Sequence, residues 1–206
     1  MSKITFVVDV DRCIGCHGCQ VACKMENAVG LGSDRTLVKD IGPTGVYPDI
    51  QLYFLPVMCQ HCENPACVDV CPTGACHPDT SDGVVKIDRD VCIGCKSCAA
   101  ACPYGVNTFH QELRVMDKCS ICAQRRDIGE QPACVKNCSG RALHVGDIED
   151  PDSEVSKLLR ETDPQYIHTL RDFGNKPSVR YILRHARWID VMPQDVKSAK
   201  RGKWDE

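Results

Sequence analysis

Hydrophobic positions along this chain form five short segments in which apolar and polar residues alternate. The segments cover residues 4–10, 52–57, 84–87, 113–116 and 143–145. A period of two is typical of strands that bury one face, and the Gly, Pro and Asp residues around these segments favour turns. The pattern therefore predicts small antiparallel hairpins, which are too few to build one large sheet.

Helical patterns are equally short and cover residues 20–26, 66–70, 99–102 and 133–137. One longer helix is predicted to open at Asp150-Pro151 and to run through Arg160. Residues 161–192 mix aromatic and arginine side chains. We expect this stretch to wrap the rest of the chain, to contact a partner, or to form an ordinary surface helix. Residues 193–206 are predicted to be a polar, poorly ordered tail.

Cysteine changes this picture, because the 206 residues include 17 cysteines. Sixteen of them form four groups, each followed by or containing one of the short helical patterns, so the chain repeats a loop-then-helix unit. The groups, one to four, are Cys13-x2-Cys16-x2-Cys19-x3-Cys23, Cys59-x2-Cys62-x4-Cys67-x3-Cys71, Cys92-x2-Cys95-x2-Cys98-x3-Cys102 and Cys119-x2-Cys122-x11-Cys134-x3-Cys138. Only 5% of the residues are aromatic, so metal is expected to supply much of the cohesion.

Disulfides and zinc are the two alternatives to iron–sulfur clusters. The odd cysteine count, the lack of an opening signal-peptide pattern and the repeated C-x2-C pairs oppose a disulfide scaffold. Zinc ribbons normally pair two separated C-x2-C units. Three cysteines at successive x2 intervals with a fourth at x3, as in groups one and three, are instead typical of [4Fe–4S] ligands. Group four alone would have been ambiguous.

Charge and hydropathy exclude other classes. The net charge of −3, with no basic stripe, opposes nucleic-acid binding, and no apolar run is long enough to span a membrane. A charge of about −2 for each oxidised cluster with its thiolates brings the net charge to about −11. Some cations near the groups are expected to offset part of this charge, although any one of them also fits a solvated surface role. They are Lys24, Arg35, Lys96, Lys118, Arg125, Arg126 and Arg141.

The cysteine spacing also predicts how each group is used. A C-x2-C-x2-C loop curls three thiolates around one corner of a cluster, and Gly15 and Gly94 permit that tight path. The cysteine three residues further on points to a second cluster, so each group serves two clusters. Pro72 and Pro103 follow groups two and three, whereas Lys24 and Ser139 follow groups one and four. This difference predicts unequal reduction potentials.

Three other residues near the groups are interpreted as non-ligands. Cys76, which stands outside the groups, is expected to be a small buried apolar residue rather than a redox group or alternative ligand. His17 and His61 lie inside complete ligand loops and are expected to be hydrogen-bonding or surface residues. No nucleophile–base pair, phosphate loop or paired carboxylate is apparent, so no catalytic residue is assigned.

With these motifs the chain resembles the four-cluster iron–sulfur subunit of molybdopterin oxidoreductase complexes. That family includes the electron-transfer subunits of dimethyl sulfoxide, polysulfide, thiosulfate and arsenate reductases. The matching stretches are D-R-C-I-G-C-H-G-C-Q-V-A-C-K at 11–24, C-Q-H-C-E-N-P-A-C-V-D-V-C-P-T-G-A at 59–75, C-I-G-C-K-S-C-A-A-A-C-P-Y-G-V at 92–106 and K-C-S-I-C-A-Q-R-R-D-I-G-E-Q-P-A-C-V-K-N-C at 118–138. Ser139 departs from the proline found in many relatives.

The resemblance implies an α+β fold of two ferredoxin-like double-cluster modules in a pseudo-twofold arrangement, with a C-terminal extension. One module would combine residues 1–58 and 103–148, the other would span 59–102, and the extension would be 149–206. The implied ligand sets are set A (Cys13, Cys16, Cys19, Cys138), set B (Cys119, Cys122, Cys134, Cys23), set C (Cys59, Cys62, Cys67, Cys102) and set D (Cys92, Cys95, Cys98, Cys71). The nitrate reductase branch has tryptophan in group three. Here Cys95 is present, so four [4Fe–4S] clusters are expected.

The resemblance also implies a non-catalytic function. The chain would relay single electrons between a catalytic subunit with a molybdenum or tungsten bis-pterin cofactor and a membrane subunit with a quinone site. It would be a peripheral protein held at the membrane by partners. The resemblance does not specify whether it lies on the cytoplasmic or the periplasmic side. A free polyferredoxin that shuttles electrons between soluble enzymes is the alternative, and a zinc-stapled interaction protein is a third hypothesis.

Overall fold

A computed structural model describes residues 2–190. It has the expected α+β character, with small sheets and short helices. The strands are β1 (Ile4–Asp9), β2 (Thr36–Thr44), β3 (Gln51–Met58), β4 (Cys76–Pro78), β5 (Val85–Ile87), β6 (Thr108–His110), β7 (Val115–Asp117), β8 (Leu143–Asp147), β9 (Ile167–His168) and β10 (Arg180–Ile182). The α-helices are α1 (Gly18–Asn27), α2 (Ala66–Asp69), α3 (Ser97–Ala101), α4 (Ala123–Arg126), α5 (Ala133–Lys136) and α6 (Glu154–Glu161). The predicted tail at 193–206 lies outside the described residues.

The largest sheet has four strands in the order β8-β1-β10-β9. Strand β1 pairs antiparallel with β8, with Phe6 opposite Val145, and parallel with β10, with Val8 opposite Tyr181. The segments at 4–10 and 143–145 are therefore strands of one mixed sheet and not of separate hairpins. Alternation identifies the buried face of a strand but carries no information about its partner.

Three antiparallel hairpins match the predicted type and frame the cysteine groups. The longest joins β2 and β3, from Thr36 opposite Met58 to Thr44 opposite Gln51, with an irregularity between Ile41 and Thr44. The other two join β4 with β5 and β6 with β7. Because β2 follows group one and β3 ends next to Cys59, the longest hairpin connects the first two cysteine groups.

Helix α6 begins three residues later than the sequence pattern predicts. Ser153 is its N-cap and accepts a hydrogen bond from Ser156 N, whereas Asp150 lies in the turn before it. The buried Val155 of this helix packs against Val7 and Ile182 of the four-stranded sheet. The helix therefore covers one face of that sheet.

The described part of the C-terminal extension adds strands to this sheet. After α6, residues up to 190 form a short 3₁₀ turn (Pro164–Tyr166) and then β9 and β10, without a further α-helix. Leu170, Val179 and Tyr181 are fully buried in the main core. The surface-helix alternative is therefore wrong for these residues. Within residues 2–190, no helix is both long and apolar enough to cross a membrane.

Candidate cluster-binding sites

Two cavities are each lined by four cysteines from distant parts of the chain. The first is lined by Cys59, Cys62, Cys67 and Cys102 with apolar neighbours that include Tyr104. The second is lined by Cys13, Cys16, Cys19 and Cys138 with neighbours that include Leu143. The structure thus brings the members of set C together and the members of set A together.

The other two sets are brought together as neighbouring thiols. Burial and then the nearby thiols of Cys67, Cys92, Cys71 and Cys95 raise the pKa of Cys98 to about 11. Burial and then the thiols of Cys119, Cys122, Cys23 and Cys19 raise the pKa of Cys134 well above its ordinary value. Asn27 Nδ2 connects two members of set B, because it lies 3.7 Å from Cys23 Sγ and 3.6 Å from Cys122 Sγ.

The four sets follow one another in a row. The Cys19 thiol of set A contributes to the raised pKa of Cys134 in set B. The Cys59 thiol of set C contributes in the same way to the raised pKa of Cys119 in set B. Cys98 of set D is likewise influenced by Cys67 of set C. These neighbours place the sets in the order A, B, C, D.

Exposure differs between the ends and the middle of this row. Of the seventeen cysteines, all of which lie in the described part of the chain, only Cys16 of set A and Cys95 of set D are exposed. The apolar side chains of Ile14 and Ile93, inside groups one and three, are 61% and 65% exposed. The row therefore reaches the surface at its two ends, with large apolar side chains beside each end.

Backbone N–H groups point at cysteine sulfurs in sets A, B and D. Ala142 N lies 3.2 Å from Cys138 Sγ, Met116 N 3.3 Å from Cys92 Sγ, and Ile121 N 3.4 Å from Cys119 Sγ. Hydrogen bonds of this kind stabilise thiolates and tune the potential of a bound cluster.

Set C has backbone donors and a charged donor as well. Burial raises the pKa of Cys102, and backbone hydrogen bonds from Val106 and Tyr104 oppose part of that rise. The charged donor is Lys118, whose Nζ lies 3.4 Å from Cys59 Sγ. Set C therefore combines the usual backbone donors with a full positive charge at one of its sulfurs.

The thiols form a donor set that fits iron. Burial raises the pKa of Cys19 to about 12 and that of Cys23 to about 11, and neighbouring thiols add to the shift at Cys19. Packing several such groups together is unfavourable for thiolates unless a cation joins them. Cluster irons provide that positive charge and take the place of the thiol protons, so binding releases protons. All seventeen cysteines are free of disulfides.

Most of the cations singled out in the sequence have carboxylate partners. Arg35 forms a buried bidentate pair with Asp117, with both N–O distances at 2.7 Å. Lys24 pairs with Asp34 at 3.2 Å. The arginines of α4 pair likewise, Arg125 with Glu26 and Glu130 and Arg126 with Asp82, while Lys96 lies 4.4 Å from the ring centroid of Phe109.

The three residues interpreted as non-ligands occupy different environments. Cys76 is buried, as expected, and its backbone N–H lies 3.4 Å from Cys71 Sγ. His17 is exposed, contacts Gln20 and lines the set A cavity beside the cysteines. His61 is buried and its Nδ1 accepts a hydrogen bond from Val85 N. Neither Cys76 nor His61 lines the set A or set C cavity.

His61 is held in its neutral form. Burial and then the positive charges of Lys118 and Arg126 lower its pKa well below the ordinary value. Of the two expected roles, hydrogen bonding or a surface position, His61 therefore has the hydrogen-bonding one, because its side chain is buried.

Sequence reasoning missed Asn27. Its side chain donates to Cys23 O at 3.0 Å and reaches two cysteine sulfurs of set B. The signal was present, because Asn27 follows Cys23 by four residues on the same helix, and residues at that spacing share a face.

Gly94 shows how closely the group-three loop fits. Its φ is +68°, and an added Cβ would overlap the carbonyl oxygen of Arg114. We expect Gly94→Ala to lower the stability of the loaded protein by more than about 2 kcal/mol and to reduce its iron content. Iron analysis and denaturant-induced loss of cluster absorbance measure both effects.

Gly129 is the matched control, because its φ is +75° and nothing lies within 4 Å of its added Cβ. Gly129→Ala therefore reports only the left-handed backbone, which costs about 1 kcal/mol. Equal losses of stability and of iron in the two variants would show that the close approach of Gly94 to the Arg114 carbonyl oxygen does not limit cluster binding.

Comparison with known proteins gives matches to iron–sulfur cluster proteins over most of the chain. The family description "4Fe-4S dicluster domain" matches residues 12–75 and, in a second form, residues 50–148. Protein NrfC of Escherichia coli is 42% identical over 174 residues, which are 84% of this chain and 77% of the relative. An arsenate respiratory reductase iron-sulfur subunit, ArrB, of a Shewanella species is 32% identical over 87% of this chain and 96% of its own.

A putative dimethyl sulfoxide reductase iron-sulfur subunit of Halobacterium salinarum is 37% identical over 88% of this chain and 79% of its own. Two dicluster domains together with four groups of four cysteines imply four [4Fe–4S] clusters. The expected cofactor content is thereby confirmed.

Proposed function

The chain belongs to the 4Fe-4S dicluster proteins, as an iron–sulfur electron-transfer subunit of the molybdopterin-type reductase family. We propose that it relays single electrons between a catalytic subunit and a quinone-linked membrane subunit. When bound, each [4Fe–4S] cluster supplies one-electron redox chemistry. The chain itself holds, separates and insulates the four centres. We propose no catalytic residue within it.

The observation that carries this proposal is the row of sets A to D with exposed cysteines at its two ends. A relay needs centres that are close to one another along a path and accessible only where electrons enter and leave. Cys16 and Cys95 meet the second requirement, since the remaining cysteines of the four sets are buried or half-buried. The exposed Ile14 and Ile93 offer apolar contacts for a protein partner at each end.

We propose sets A, B, C and D as the ligands of the four clusters, with each cysteine group contributing its first three members to one set and its last to another. Sets A and B would form the module built from residues 1–58 and 103–148, and sets C and D the module at 59–102. The shared cavities and the neighbouring thiols support this assignment. The remaining extension, from residue 149, supports the first module through β9 and β10.

The proposed partners follow from the two exposed ends of the row. A relay that accepts electrons at one end and releases them at the other needs a redox partner at each end. The names of two relatives describe iron-sulfur subunits of a dimethyl sulfoxide reductase and of an arsenate respiratory reductase. We therefore place a molybdenum or tungsten bis-pterin subunit at one end and a quinone-binding membrane subunit at the other. The chain would be a peripheral subunit attached to the membrane through them.

Cys95→Ser tests this function at the exposed end of set D. In the purified complex we expect one cluster to be altered or lost and electron flow from a quinol analogue to fall at least about tenfold, with the pterin cofactor retained. Iron analysis, electron paramagnetic resonance and the oxidation rate of the quinol analogue are the measurements. Leu31→Ser is the control, because Leu31 is 96% exposed and belongs to none of the proposed sets. Unchanged electron flow in Cys95→Ser would contradict the relay.

A further inference from the structure

Lys118 is a buried cation at the junction of the two proposed modules. Only 3% of its surface is exposed, and it precedes Cys119 of set B directly. Its Nζ lies 3.4 Å from Cys59 Sγ of set C and 3.4 Å from the carbonyl oxygen of Cys119, and it also donates to the carbonyl oxygen of Val85. One ammonium group thus contacts set C through a sulfur and set B through the backbone.

Its charge has no carboxylate partner. Within residues 2–190, no carboxylate oxygen lies within 4 Å of Lys118 Nζ, although many other lysines and arginines of the same region form such pairs. Arg35 provides the contrast, because it is similarly buried near Cys23 but is paired with Asp117 at 2.7 Å. A buried ammonium is unfavourable without a negative partner. The groups that surround Lys118 are the thiols of Cys59, Cys67, Cys76 and Cys119.

We propose that Lys118 is a positioning residue that raises the reduction potential of the set C cluster and so favours electron transfer into set C from its neighbours. Each one-electron reduction adds one negative charge to the cluster and its thiolates, with the electron arriving from the neighbouring centre of the row. A buried positive charge in contact with a ligand sulfur stabilises the reduced state more than the oxidised state. The inference rests on the proposed ligand sets.

The test compares reduction potentials in the full chain loaded with iron and sulfide. Lys118→Gln removes the charge and retains a hydrogen-bond donor, whereas Lys118→Arg retains both the charge and the donors. Lys157→Gln on α6 is the matched control, since it removes an exposed lysine from a helix that carries no cysteine. Redox titration followed by electron paramagnetic resonance gives the midpoint potential of each cluster.

In Lys118→Gln we expect the midpoint potential of one cluster, that of set C, to fall. Its equilibrium constant for one-electron reduction should decrease at least about tenfold, which corresponds to a shift of about 59 mV. Lys118→Arg should remain close to the unmodified protein, as should Lys157→Gln. Equal potentials in Lys118→Gln and the unmodified protein would overturn the inference. So would an equal loss of clusters from Lys118→Gln and Lys118→Arg, because a purely structural role affects both in the same way.

Failure of this inference can be distinguished from failure of the proposed function. Unmodified protein with about 16 irons and four titrating centres, together with unshifted variants, would contradict only the role of Lys118. Unmodified protein without four titrating centres would contradict the ligand sets themselves. The measurement on the unmodified chain therefore precedes the comparison of variants.

Discussion

Removal of the iron is expected to unfold most of the described chain. The two-stranded sheets at β4–β5 and β6–β7 have three residues per strand, and four of the six described helices have only four or five residues. Such elements are not stable alone in water. Several cysteines of sets A, B and C are part of the main apolar core. Metal binding therefore contributes directly to the free energy of folding.

Chelation of iron under anaerobic conditions, followed by circular dichroism and amide hydrogen exchange, measures this effect. We expect protection to disappear from residues 59–138, and from β1 and β8 as set A is lost. Loaded protein incubated without chelator is the control. A chelated protein that still melts in one cooperative transition at the same temperature would show that apolar burial alone stabilises the fold.

Asp117→Asn is expected to destabilise the loaded protein by about 3–5 kcal/mol, because it leaves Arg35 charged, buried and without its partner. Both side chains are 7% exposed, and the pair is bidentate. Arg89 Nη2 also lies 3.4 Å from Asp117 Oδ1, so the same carboxylate balances a second arginine. Denaturant-induced loss of cluster absorbance at equilibrium measures the change in stability.

The Lys24–Asp34 pair supplies the control. Its side chains are 34% and 30% exposed, so Asp34→Asn should change the stability by at most about 1 kcal/mol. Similar losses in the two variants would show that burial of the Arg35–Asp117 pair has no special importance. A smaller loss for Asp117→Asn than for Asp34→Asn would contradict the expectation outright.

Five of the ten described strands and five of the six described α-helices were predictable, because alternation and helical spacing are local properties. Four of the five alternating segments contain strands that start within one residue of the prediction, whereas the segment at 113–116 gives a strand that starts at Val115. The partners of these strands were not predictable. β1 pairs with β8 and β10, which are far away in sequence, and no residue of β1 specifies that choice. Strands β2, β4, β6, β9 and β10 were missed. The second half of β2 is mostly polar and exposed, and the other four have only two or three residues.

In the candidate site, too, the local features were predictable from the sequence and the tertiary contacts were not. Cysteine spacing identified the groups, and the loop-then-helix repeat explained why the fourth cysteine of a group points elsewhere. The surroundings of the sulfurs depended on tertiary packing. Lys118 was singled out as one of seven cations, yet only the structure distinguishes it from Arg35, which has a carboxylate partner. The contacts of Asn27 with two sulfurs likewise required the packing that brings Cys122 next to α1.

The mixed sheet has a consequence for how the molecule is made. With the proposed sets, a nascent chain holds every ligand of sets C and D once Cys102 has left the ribosome. Set B must wait for Cys134 and set A for Cys138, and β1 gains its second neighbour only when β10, at Arg180–Ile182, has been synthesised. Contacts over such long separations form late. Cluster assembly and folding would then proceed from the centre of the polypeptide outward, with its amino terminus among the last parts to be fixed in place.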